Sequence, residues 1–526
     1  MRHRLSHLLV ATTFAAAVFP AFAADASDEI GRFAITRFEV TGNTLLSAQA
    51  VEQAVAPYAG AERNFGHVQM ALEALEAAYH RLGFNVVQVA LPEQELNQGV
   101  VKLQVVETRL GKVRVEGNRV FSEANIRHSL PGLVEGQTPN IGRVSASLRL
   151  ANENPAKKTA LQLQSGDNDD DVNATLKITD DKPWKLAANI DNSGNKNTGE
   201  SQLTLQYQHA NIAERDHVLS LQYTTTLEKP SQIGVYGVGY HIPLYALGDS
   251  VDVFASYSDV DSGSVLAGIF NLQVSGRGTV MGARYNQTLR RIGELESRVI
   301  YGLDYKAFKN NVLLQGTQIG NDVTVHPFSV AYAGNWSGAD SAANFSVTAM
   351  RNIPGGDKGG SADFNLVRPG APAGYSILRY SAGYSHQLPQ DWQLRVALSG
   401  QVTRDVLIPG EQFGAGGASS VRGFTERDIS SDSGHLASAE VYTPDFCAGL
   451  QAVTAQCRLL AFIDAAQIRS QDPQPVKASI GSAGVGWRIN IDKYLALQMD
   501  YGQVINAGNT ASKGDKRLHF KLAMTY

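Results

Sequence analysis

The chain has 526 residues, of which 43% are hydrophobic, and its 46 basic and 50 acidic residues give a net charge of −4. A mean hydropathy of −0.17 is too polar for a bundle of transmembrane helices. The balanced charge leaves no basic footprint for nucleic acid or for an anionic membrane surface. Glycine (50 residues), tyrosine and phenylalanine (19 each) are abundant, which is typical of chains with many strands and turns.

The N-terminus is organised like a secretory signal peptide. Arg2 and Arg4 precede an apolar stretch from Leu8 to Phe22, and residues 21–23 (Ala-Phe-Ala) supply a small-x-small cleavage pattern. A membrane anchor is the alternative, but the stretch is short for a span. We therefore predict a signal peptide over 1–23 and export of the rest. Because no second long apolar stretch follows, the exported chain is either soluble or a β-barrel.

A sequence repeat follows the signal peptide. Residues 37–47 and 112–122 share one pattern, in which apolar residues alternate, a Gly-Asn pair follows, and Ser47 or Ser122 comes after it. The alternation predicts a half-buried strand, the Gly-Asn pair a turn, and the serine a helix cap. The repeat therefore predicts two copies of a β-α-α-β-β module.

The later elements of each copy are also visible in the sequence. In the first copy a helix is predicted over 65–82, with strands near 84–91 and 100–107; in the second a helix is predicted around 141–150, with strands near 159–164 and 172–179. This pattern resembles the POTRA domain, the periplasmic arm of outer-membrane transporters and insertases. Two unrelated α+β modules are the alternative. On the resemblance, residues 24–32 are a short N-terminal segment, 33–108 the first POTRA domain and 109–182 the second.

From residue 183 to residue 526 the helical periodicity gives way to alternation with period two. Leu203, Leu205 and Tyr207 alternate with glutamine and threonine, and the same pattern recurs to the end of the chain. A soluble β-sandwich would alternate as well, but long polar faces suit a wet lumen, and tyrosines near strand ends suit an aromatic girdle. We predict a transmembrane antiparallel β-barrel of about 16 strands, with about 14 or 18 also compatible with the length.

The last residues continue the alternation and end on an aromatic residue. This resembles the signal by which bacterial outer-membrane barrels are recognised for assembly, which implies the barrel-assembly machinery, periplasmic chaperones and outer-membrane lipids as partners. A soluble edge strand is the alternative, although such an apolar edge would invite aggregation. The residues of the predicted signal are Phe520, Leu522, Met524 and Tyr526, preceded by Leu518 on the same face.

Two short motifs in the barrel region belong together. Val421-Arg422-Gly423-Phe424 follows a glycine-rich run and resembles the loop-tip motif of the POTRA-plus-barrel superfamily. Phe462 and Asp464 resemble its F-x-D strand element, and in that superfamily the loop folds into the lumen so that its arginine contacts the aspartate. Arginine suits this role because it binds carboxylates in a bidentate manner. A solvated loop arginine and a water-facing aspartate are the alternative.

Three further stretches narrow the resemblance. Residues 139–142 (PNIG), 150–155 (LANENP) and 191–194 (DNSG) resemble two-partner secretion transporters of the haemolysin/haemagglutinin type. The resemblance implies a pore in the cell outer membrane, with its POTRA domains in the periplasm, that captures an unfolded exported partner and passes it to the surface. That partner would be a large β-helical exoprotein with an N-terminal secretion domain. One departure is that residues 24–32 leave no room for the plug helix found in many members.

Capture of the partner is expected to use strand addition at a sheet edge beside a helical groove. The first module offers the predicted strand 84–91 and the predicted helix 65–82 for this purpose. The residues of the predicted groove are Phe65, Leu72, Leu75, Tyr79, Val86, Val87 and Val89.

Three other functions compete with this hypothesis. The chain could be an insertase that folds other barrels, or a passive porin or adhesin. An enzyme is the weakest alternative, because we find no G-x-S-x-G motif, H-E-x-x-H motif or paired-cysteine metal site. We therefore expect no catalysis, no cofactor, no metal and no nucleic acid.

The sequence contains two cysteines, Cys447 and Cys457. An oxidising periplasm favours a disulfide between them, and two unlinked apolar side chains are the alternative. We expect the pair in a periplasmic turn between the strand after the long loop and the strand that holds Asp464. Single histidines such as His241 and His519 are expected to lie on strands or in the lumen rather than to bind a metal.

Overall fold

The computed structural model describes residues 32–526, except 96, 169, 195, 197–198, 232, 261–263, 268–271, 276, 310–312, 315–316, 319–320 and 450–453. The predicted signal peptide lies outside these residues. The chain forms two compact units, of which one holds the described residues up to Arg81 together with Val87–Glu107, and the other holds Leu82–Val86 and Thr108–Tyr526. Among the described residues, no helix combines the length and apolar character needed to cross a membrane.

The first module contains five strands and two α-helices. Strands β2 and β5 pair in parallel and β4 pairs antiparallel to β5, while β1 and β3 form a separate two-stranded sheet. The elements are β1 (Phe33–Ile35), β2 (Arg37–Thr41), α1 (Ala48–Val55), β3 (Gly60–Arg63), α2 (Phe65–Arg81), β4 (Gln88–Ala90) and β5 (Val100–Val106).

Two details of the first module differ from the sequence-based expectation. The pairing of β1 with β3 was not predicted, because strands of three or four residues are too short to show a period. The strand predicted over 84–91 is shorter, since only Gln88–Ala90 pairs with β5. An apolar run such as Val86-Val87 indicates burial, but it does not determine how many residues pair with a neighbouring strand.

The second module repeats the three-stranded sheet of the first. Strands β6 and β8 pair in parallel, and β7 pairs antiparallel to β8, so the predicted β-α-α-β-β order is present. Its core includes Leu110, Phe121, Ile126 and Leu176. The elements are β6 (Arg109–Glu116), α3 (Glu123–His128), α4 (Ile141–Ala151), β7 (Lys157–Ser165) and β8 (Asp171–Asp180).

The repeated Gly-Asn turn has the same backbone geometry in both modules. Gly42 has φ of +81° and Gly117 has φ of +85°, a region that glycine enters without steric cost. A Cβ atom at Gly42 would also collide with the carbonyl oxygen of Val105, and one at Gly117 would collide with that of Ile178. The glycine is therefore required twice over, by its backbone angle and by the adjacent strand.

In each module, a carboxylate at the end of the last strand accepts hydrogen bonds from the backbone N–H groups of the Gly-Asn turn. Glu107 Oε1 accepts from the backbone N–H of Thr44 at 2.7 Å and of Leu45 at 2.9 Å, and Asp180 accepts from the N–H groups of residues 119–121 at 2.8–3.1 Å. Burial alone would raise the pKa of each carboxyl group, but the hydrogen bonds outweigh it and hold both pKa values below normal. The role of these two carboxylates was not predicted from the sequence.

The rest of the chain forms a closed antiparallel barrel. In the described part of the chain sixteen strands make its wall, and the last pairs with the first, which confirms the predicted fold and strand number. The wall strands are β9 (Trp184–Asp191), β10 (Gln202–Ile212), β11 (His217–Thr226), β12 (Ile233–Leu244), β13 (Asp249–Val260), β14 (Arg277–Thr288), β15 (Leu295–Lys309), β16 (Pro327–Ser337), β17 (Ser341–Asn352), β18 (Ser376–Gln387), β19 (Gln393–Val402), β20 (Ser433–Tyr442), β21 (Ala455–Arg469), β22 (Lys477–Ile491), β23 (Leu495–Asn506) and β24 (Lys516–Thr525).

Shorter elements lie in the connections between wall strands. Val323–Val325 pairs with β15 beside β16, and the helix α5 spans Ser361–Val367 in the connection between β17 and β18. In the described parts of these connections, three small hairpins pair Ser264–Ala267 with Leu272–Ser275, Leu313–Leu314 with Thr317–Gln318, and Phe413–Ala415 with Ile429–Ser431.

The two faces of the barrel wall differ as the alternation predicted. Leu205, Leu221 and Leu303 are exposed on the outside, where lipid would cover them. On the inside, Gln206 Nε2 donates to Gln222 Oε1 at 3.1 Å, so the lumen is lined by polar groups that bond across strands. The barrel is therefore apolar outside and polar inside.

The predicted C-terminal signal lies at the seam of the barrel. Leu518, Met524 and Tyr526 are exposed on the outer face, while Phe520 and Leu522, on the same face, are half-buried. Residues 521–525 pair with β9. The ring of Tyr526 packs against Trp184 with centroids 5.8 Å apart.

Replacing the turn-capping carboxylate tests how the modules are stabilised. We expect Glu107→Gln to destabilise the first module by about 1 kcal/mol at pH 7, because a hydrogen bond to a charged group is lost at a partly exposed site. The pKa of Glu107 is lower in the folded than in the unfolded protein, so its ionised form stabilises the fold at pH values above the unfolded pKa. This stabilisation disappears as the pH falls through the folded pKa. The difference between variant and wild type should therefore vanish in acid.

Hydrogen exchange of residues 100–106, followed by mass spectrometry on the full-length protein from pH 7 downwards, would measure this difference. Glu39→Gln, an exposed carboxylate in the same module, is the matched control. Equal protection of wild type and Glu107→Gln at pH 7 would show that the cap contributes nothing.

Candidate functional site

The connection between β19 and β20, residues 403–432, folds against the inner wall of the barrel. Its arms pair as the hairpin Phe413–Ala415 with Ile429–Ser431. Its tip is buried at all four positions of the motif, Val421, Arg422, Gly423 and Phe424. We call this segment the inner loop. A loop tip can be this inaccessible only when the surrounding wall supplies partners for its polar groups.

Arg422 makes a bidentate ion pair with Asp464 on β21. Its Nε lies 2.7 Å from Asp464 Oδ2 and its Nη2 lies 2.8 Å from Oδ1. The backbone N–H of Arg422 also donates to Oδ2 at 3.1 Å. The two side chains are only 5% and 0% exposed, so the pair is largely shielded from solvent screening. The structure thus brings together the two residues that the motifs singled out.

Besides Asp464 and Ser438, whose Oγ accepts from Nη2 at 3.4 Å, three more side chains contact the Arg422 guanidinium. Glu440 Oε1 on β20 lies 2.6 Å from Nη1, and Asp500 Oδ1 on β23 lies 3.5 Å from it. The guanidinium carbon lies 3.5 Å from the ring centroid of Phe462, a cation–π contact. Sequence reasoning predicted Phe462 but missed Glu440 and Asp500, whose only signal is a carboxylate at a lumen-facing strand position.

Gly423 and Phe424 bring the backbone of the inner loop into contact with the wall. Gly423 has φ of +95°, and its N–H donates to His519 Nε2 on β24 at 3.0 Å. On β23, a Cβ atom at Gly502 would lie 2.9 Å from the Gly423 nitrogen. A glycine on each surface therefore allows the close approach. Phe424 packs in an apolar cluster with Ile480 and others. His519 is a lumen residue, as expected, whereas Gly502 was missed.

Two more acidic residues of the inner loop bond to other parts of the barrel, Glu411 to the wall and Asp428 to the connection between β23 and β24. Glu411, whose side chain is fully buried, pairs with Lys306 on β15 at 2.7 Å and with Arg379 on β18 at 3.1 Å. Asp428 accepts hydrogen bonds from the backbone N–H groups of residues 509–510 at 2.8–3.0 Å. Together with Arg422, these contacts hold the loop at several points around the lumen.

The connection between β17 and β18, residues 353–375, contributes a second structure at the extracellular end. Phe364 on α5 and Tyr375 are fully buried, and they pack with Leu407 and Ile408 of the inner loop and with Ile377 on the inner face of β18. We call this segment the mouth loop. An apolar cluster on the inner face of a polar lumen indicates that the mouth loop fills part of the opening.

Asp432 joins the mouth loop to the inner loop. Its carboxylate is fully buried and pairs with Arg368 of the mouth loop at 2.5 Å. The same carboxylate accepts from the N–H groups of Leu407 at 2.9 Å and Gln471 at 2.7 Å. Arg368 also pairs with Asp472 at 2.9 Å. Three extracellular connections therefore meet at one aspartate.

Cys447, in the connection between β20 and β21, forms a disulfide with Cys457 near the start of β21, with Cα atoms 5.2 Å apart. Asp445 Oδ1 accepts from the backbone N–H of both cysteines at 2.9 Å. The disulfide therefore fastens the connection between β20 and β21 to β21, and these two strands carry Glu440 and Asp464.

The groove predicted on the first module is mostly wrong, because its residues form the module core. Leu75, Tyr79, Val87 and Val89 are buried, while Leu72 and Val86 are half-buried. Phe65 is the exposed member, at 61%. Apolar residues at spacings of three and four mark the face that a helix buries, whether a groove or its own sheet lies opposite.

One edge of the three-stranded sheet in the first module is β4, which lies next to α2, and the other is β2. The backbone N–H of Val89 points away from β5 and donates to Glu76 Oε1 on α2 at 2.8 Å. An edge donor that is held by a side chain can be released to an incoming strand when that side chain moves. This role of Glu76 was not predicted from the sequence.

A family model for the haemolysin secretion/activation protein ShlB/FhaC/HecB matches residues 171–489, and a model for the ShlB-type POTRA domain matches residues 33–108. The chain belongs to this family of outer-membrane transporters. It lies in the outer membrane, with its POTRA domains on the periplasmic side.

Curated relatives and a solved structure agree with this assignment. The outer membrane transporter CdiB of Escherichia coli O6:K15:H31 is 25% identical over 417 residues, 76% of this chain and 67% of the relative. The heme/hemopexin transporter protein HuxB of Haemophilus influenzae is 22% identical over 402 residues, 74% of this chain and 68% of the relative. The structure of CdiB from Escherichia coli has the same fold, with a TM-score of 0.74, 21% identity and coverage of 97% of this chain and 93% of that one.

Arg422→Ala tests the anchor of the inner loop. Removing one partner of a buried ion pair typically costs about 3–5 kcal/mol, because the remaining charge is left without compensation. We expect the tip to leave the wall, which would raise single-channel conductance in planar bilayers and expose the loop to added protease. Arg404→Ala, an exposed arginine of the same loop, should change neither quantity.

A second variant separates the ion pair from the loss of a side chain. Arg422→Lys keeps the charge but cannot make the bidentate contact, and we expect conductance between those of wild type and Arg422→Ala. Unchanged conductance and protease resistance in both variants would contradict the anchoring role.

Arg368→Met tests the link between the mouth loop and the inner loop. The variant leaves Asp432 buried without its cation, so the mouth loop should become mobile while the Arg422 anchor stays in place. We expect higher conductance and faster cleavage of residues 353–375 by external protease. Protection of this segment equal to that in wild type would show that Arg368 does not hold it.

Proposed function

We propose that the chain captures an unfolded exported protein in the periplasm and passes it through the barrel to the cell surface. The observation that carries the proposal is a polar lumen occupied by a loop whose tip is attached through Arg422 to charged wall residues. A loop that filled the lumen permanently would be expected to use apolar contacts. Ion pairs beside a hydrated channel can instead be replaced by hydrogen bonds to water. The two periplasmic modules provide the receiving surface.

The cargo that fits this arrangement is an extended chain. A sixteen-stranded barrel encloses an aqueous channel, which has room for an unfolded polypeptide but not for a folded domain. By analogy with the family, the cargo is a large β-helical exoprotein with an N-terminal secretion domain. Folding outside the cell would give the movement its direction. Outer-membrane lipids surround the barrel in this proposal, and the barrel-assembly machinery and periplasmic chaperones act during its biogenesis.

Capture would begin at the edge of the first module. The strand β4 has backbone groups on its open side, among them the N–H of Val89 that Glu76 holds. An incoming strand would replace Glu76 as the acceptor and continue the sheet, so that backbone hydrogen bonds give affinity for many sequences. The exposed ring of Phe65 at the start of α2 offers an apolar contact to the same cargo.

Deletion of residues 33–108 is the first test of this proposal. We expect the deletion variant to insert in the outer membrane but to lose the release of one or a few large proteins, identified by comparing surface and culture-medium proteins with those of the parent strain. An insertase would instead lower the amounts of many outer-membrane barrels, and a porin or adhesin would function without the module. Either result would contradict the proposal.

A point variant tests the capture surface without removing a domain. Phe65→Ser should reduce release of the same proteins severalfold while leaving the module folded, since the side chain is mostly exposed. Met70→Ser changes another exposed apolar residue on a different face of α2 and serves as the control. Equal release by the two variants would show that this face of α2 takes no part.

A further inference from the structure

The second periplasmic module and the barrel meet at a buried ion pair. Lys157 at the start of β7 places Nζ 2.6 Å from Oδ2 of Asp216, which lies in the turn between β10 and β11, and the two side chains are 0% and 1% exposed. A buried charge is tolerated only where it is paired and hydrogen-bonded. Each side of this junction therefore supplies a charge that the other side must neutralise.

Neighbouring side chains add further bonds to both charges. Lys157 Nζ also donates to Asn125 Oδ1 at 2.8 Å and lies 5.0 Å from the ring centroid of Phe121. Asp216 Oδ2 accepts from the hydroxyl of Tyr245 at 2.6 Å, and Tyr245 belongs to the next periplasmic turn, between β12 and β13. Burial lowers the pKa of Lys157, and Asp216 opposes this effect. Two turns of the barrel thus converge on one lysine of the module.

The turn between β10 and β11 has a backbone conformation that needs external support. Ala213, Glu214 and Asp216 have φ values of 55°, 59° and 61°, a region that residues other than glycine rarely adopt and retain only where their surroundings enforce it. The second module supplies such contacts. Ser122 Oγ donates to Glu214 Oε2 at 2.6 Å, and Asn125 Nδ2 donates to the Glu214 carbonyl oxygen at 2.9 Å.

Two more contacts extend the junction away from the ion pair. Ser147 Oγ on α4 donates to the carbonyl oxygen of Tyr245 at 2.7 Å. Asn154 Nδ2 donates to the carbonyl oxygen of Ala210 at 2.8 Å. Asn154 lies in the LANENP stretch that first suggested the family, so this motif now has a structural role at the junction.

We infer that Lys157 and Asp216 are positioning residues that lock the second module to the periplasmic entrance of the pore, so that module and barrel move as one body during transport. The alternative is an arm that swings on the segment before β9. The part of this inference that concerns transport rests on the proposed function, whereas the rigidity of the junction does not. A locked module would deliver the cargo to an entrance of fixed shape.

Rigidity can be measured without any cargo. Spin labels at Leu163→Cys on the module and Leu247→Cys on a barrel turn, both exposed positions, would report the distance between the two in the full-length protein. The native cysteines are joined to each other and take no label. We expect one narrow distance distribution in the wild-type background and a broad one in Lys157→Met. Lys158→Met, which changes the exposed neighbouring lysine, is the control and should keep the narrow distribution.

Heat-dependent gel migration would show in parallel that each barrel is folded. A broad distribution in the wild-type background, or a narrow one in folded Lys157→Met, would overturn the lock.

A crosslink tests whether transport needs the junction closed or open. A Cβ atom at Gly248 in the turn between β12 and β13 would lie 2.8 Å from the Cβ of Ala146 on α4, so that Ala146→Cys with Gly248→Cys can form a disulfide after a small shift. We expect the crosslinked transporter to release the proteins defined by the deletion experiment within about twofold of wild type. Lys157→Met should reduce release about tenfold, and the crosslink should restore it.

The outcomes of the crosslink experiment separate the possible failures. If the crosslink stops release while the reduced and single-cysteine forms still secrete, the junction must open and the lock is wrong. If the crosslink does not rescue a folded Lys157→Met variant, the two residues do not act by positioning the module. If release never depends on this chain at all, the proposed function fails, and the distance measurement alone still confirms or overturns the rigid junction.

Discussion

Closure of the sheet is the constraint on which the rest of this structure depends. Within the hydrocarbon core of a membrane no water is available to the backbone, so every N–H and C=O group needs a partner inside the protein. The pairing of β24 with β9 removes the open edges that a sheet would otherwise present. Because side chains alternate along each strand, the same closure directs one apolar set to the lipid and one polar set to the lumen.

The polar lumen in turn determines how extra elements are held there. Arg422 contacts carboxylates on β20, β21 and β23, so one side chain connects the inner loop to several wall strands. Arg368 and Glu411 act in a similar way for the mouth loop and for the first part of the inner loop. Buried ion pairs add little net stability compared with apolar packing, but they penalise any arrangement that separates the partners. They suit a pore whose contents must be placed accurately and yet remain exchangeable.

In the periplasmic part, charged side chains hold the structure together in two places, within each module and at the junction with the barrel. Within each module a carboxylate at the end of the last strand satisfies the amides of the Gly-Asn turn, through Glu107 in one copy and Asp180 in the other. At the junction with the barrel, Lys157 of the second module and Asp216 of a barrel turn hold the two parts together. In both cases a charged side chain takes its partner from a distant part of the chain, so that folding of one part depends on the presence of the other.

The sequence by itself determined the features that are local in the chain. Period-two alternation predicted the barrel and its two faces, and the duplicated Gly-Asn turn predicted two modules. The motifs around Arg422 and Asp464 indicated which loop and which strand would meet only through their resemblance to the POTRA-plus-barrel superfamily. Each single strand, turn or motif lies within about ten residues of chain, the length over which strand and turn patterns act.

The tertiary structure decided everything that depends on distant partners. Glu440, Asp500, His519 and Gly502 surround the tip of the inner loop only because closure brings β20, β23 and β24 to the same side of the lumen. Likewise, the apolar stripe of α2 faces its own sheet rather than a groove, since a pattern shows that a face is buried but not what covers it. Local sequence specifies conformation and polarity, whereas the choice of partners depends on which strands the fold places side by side.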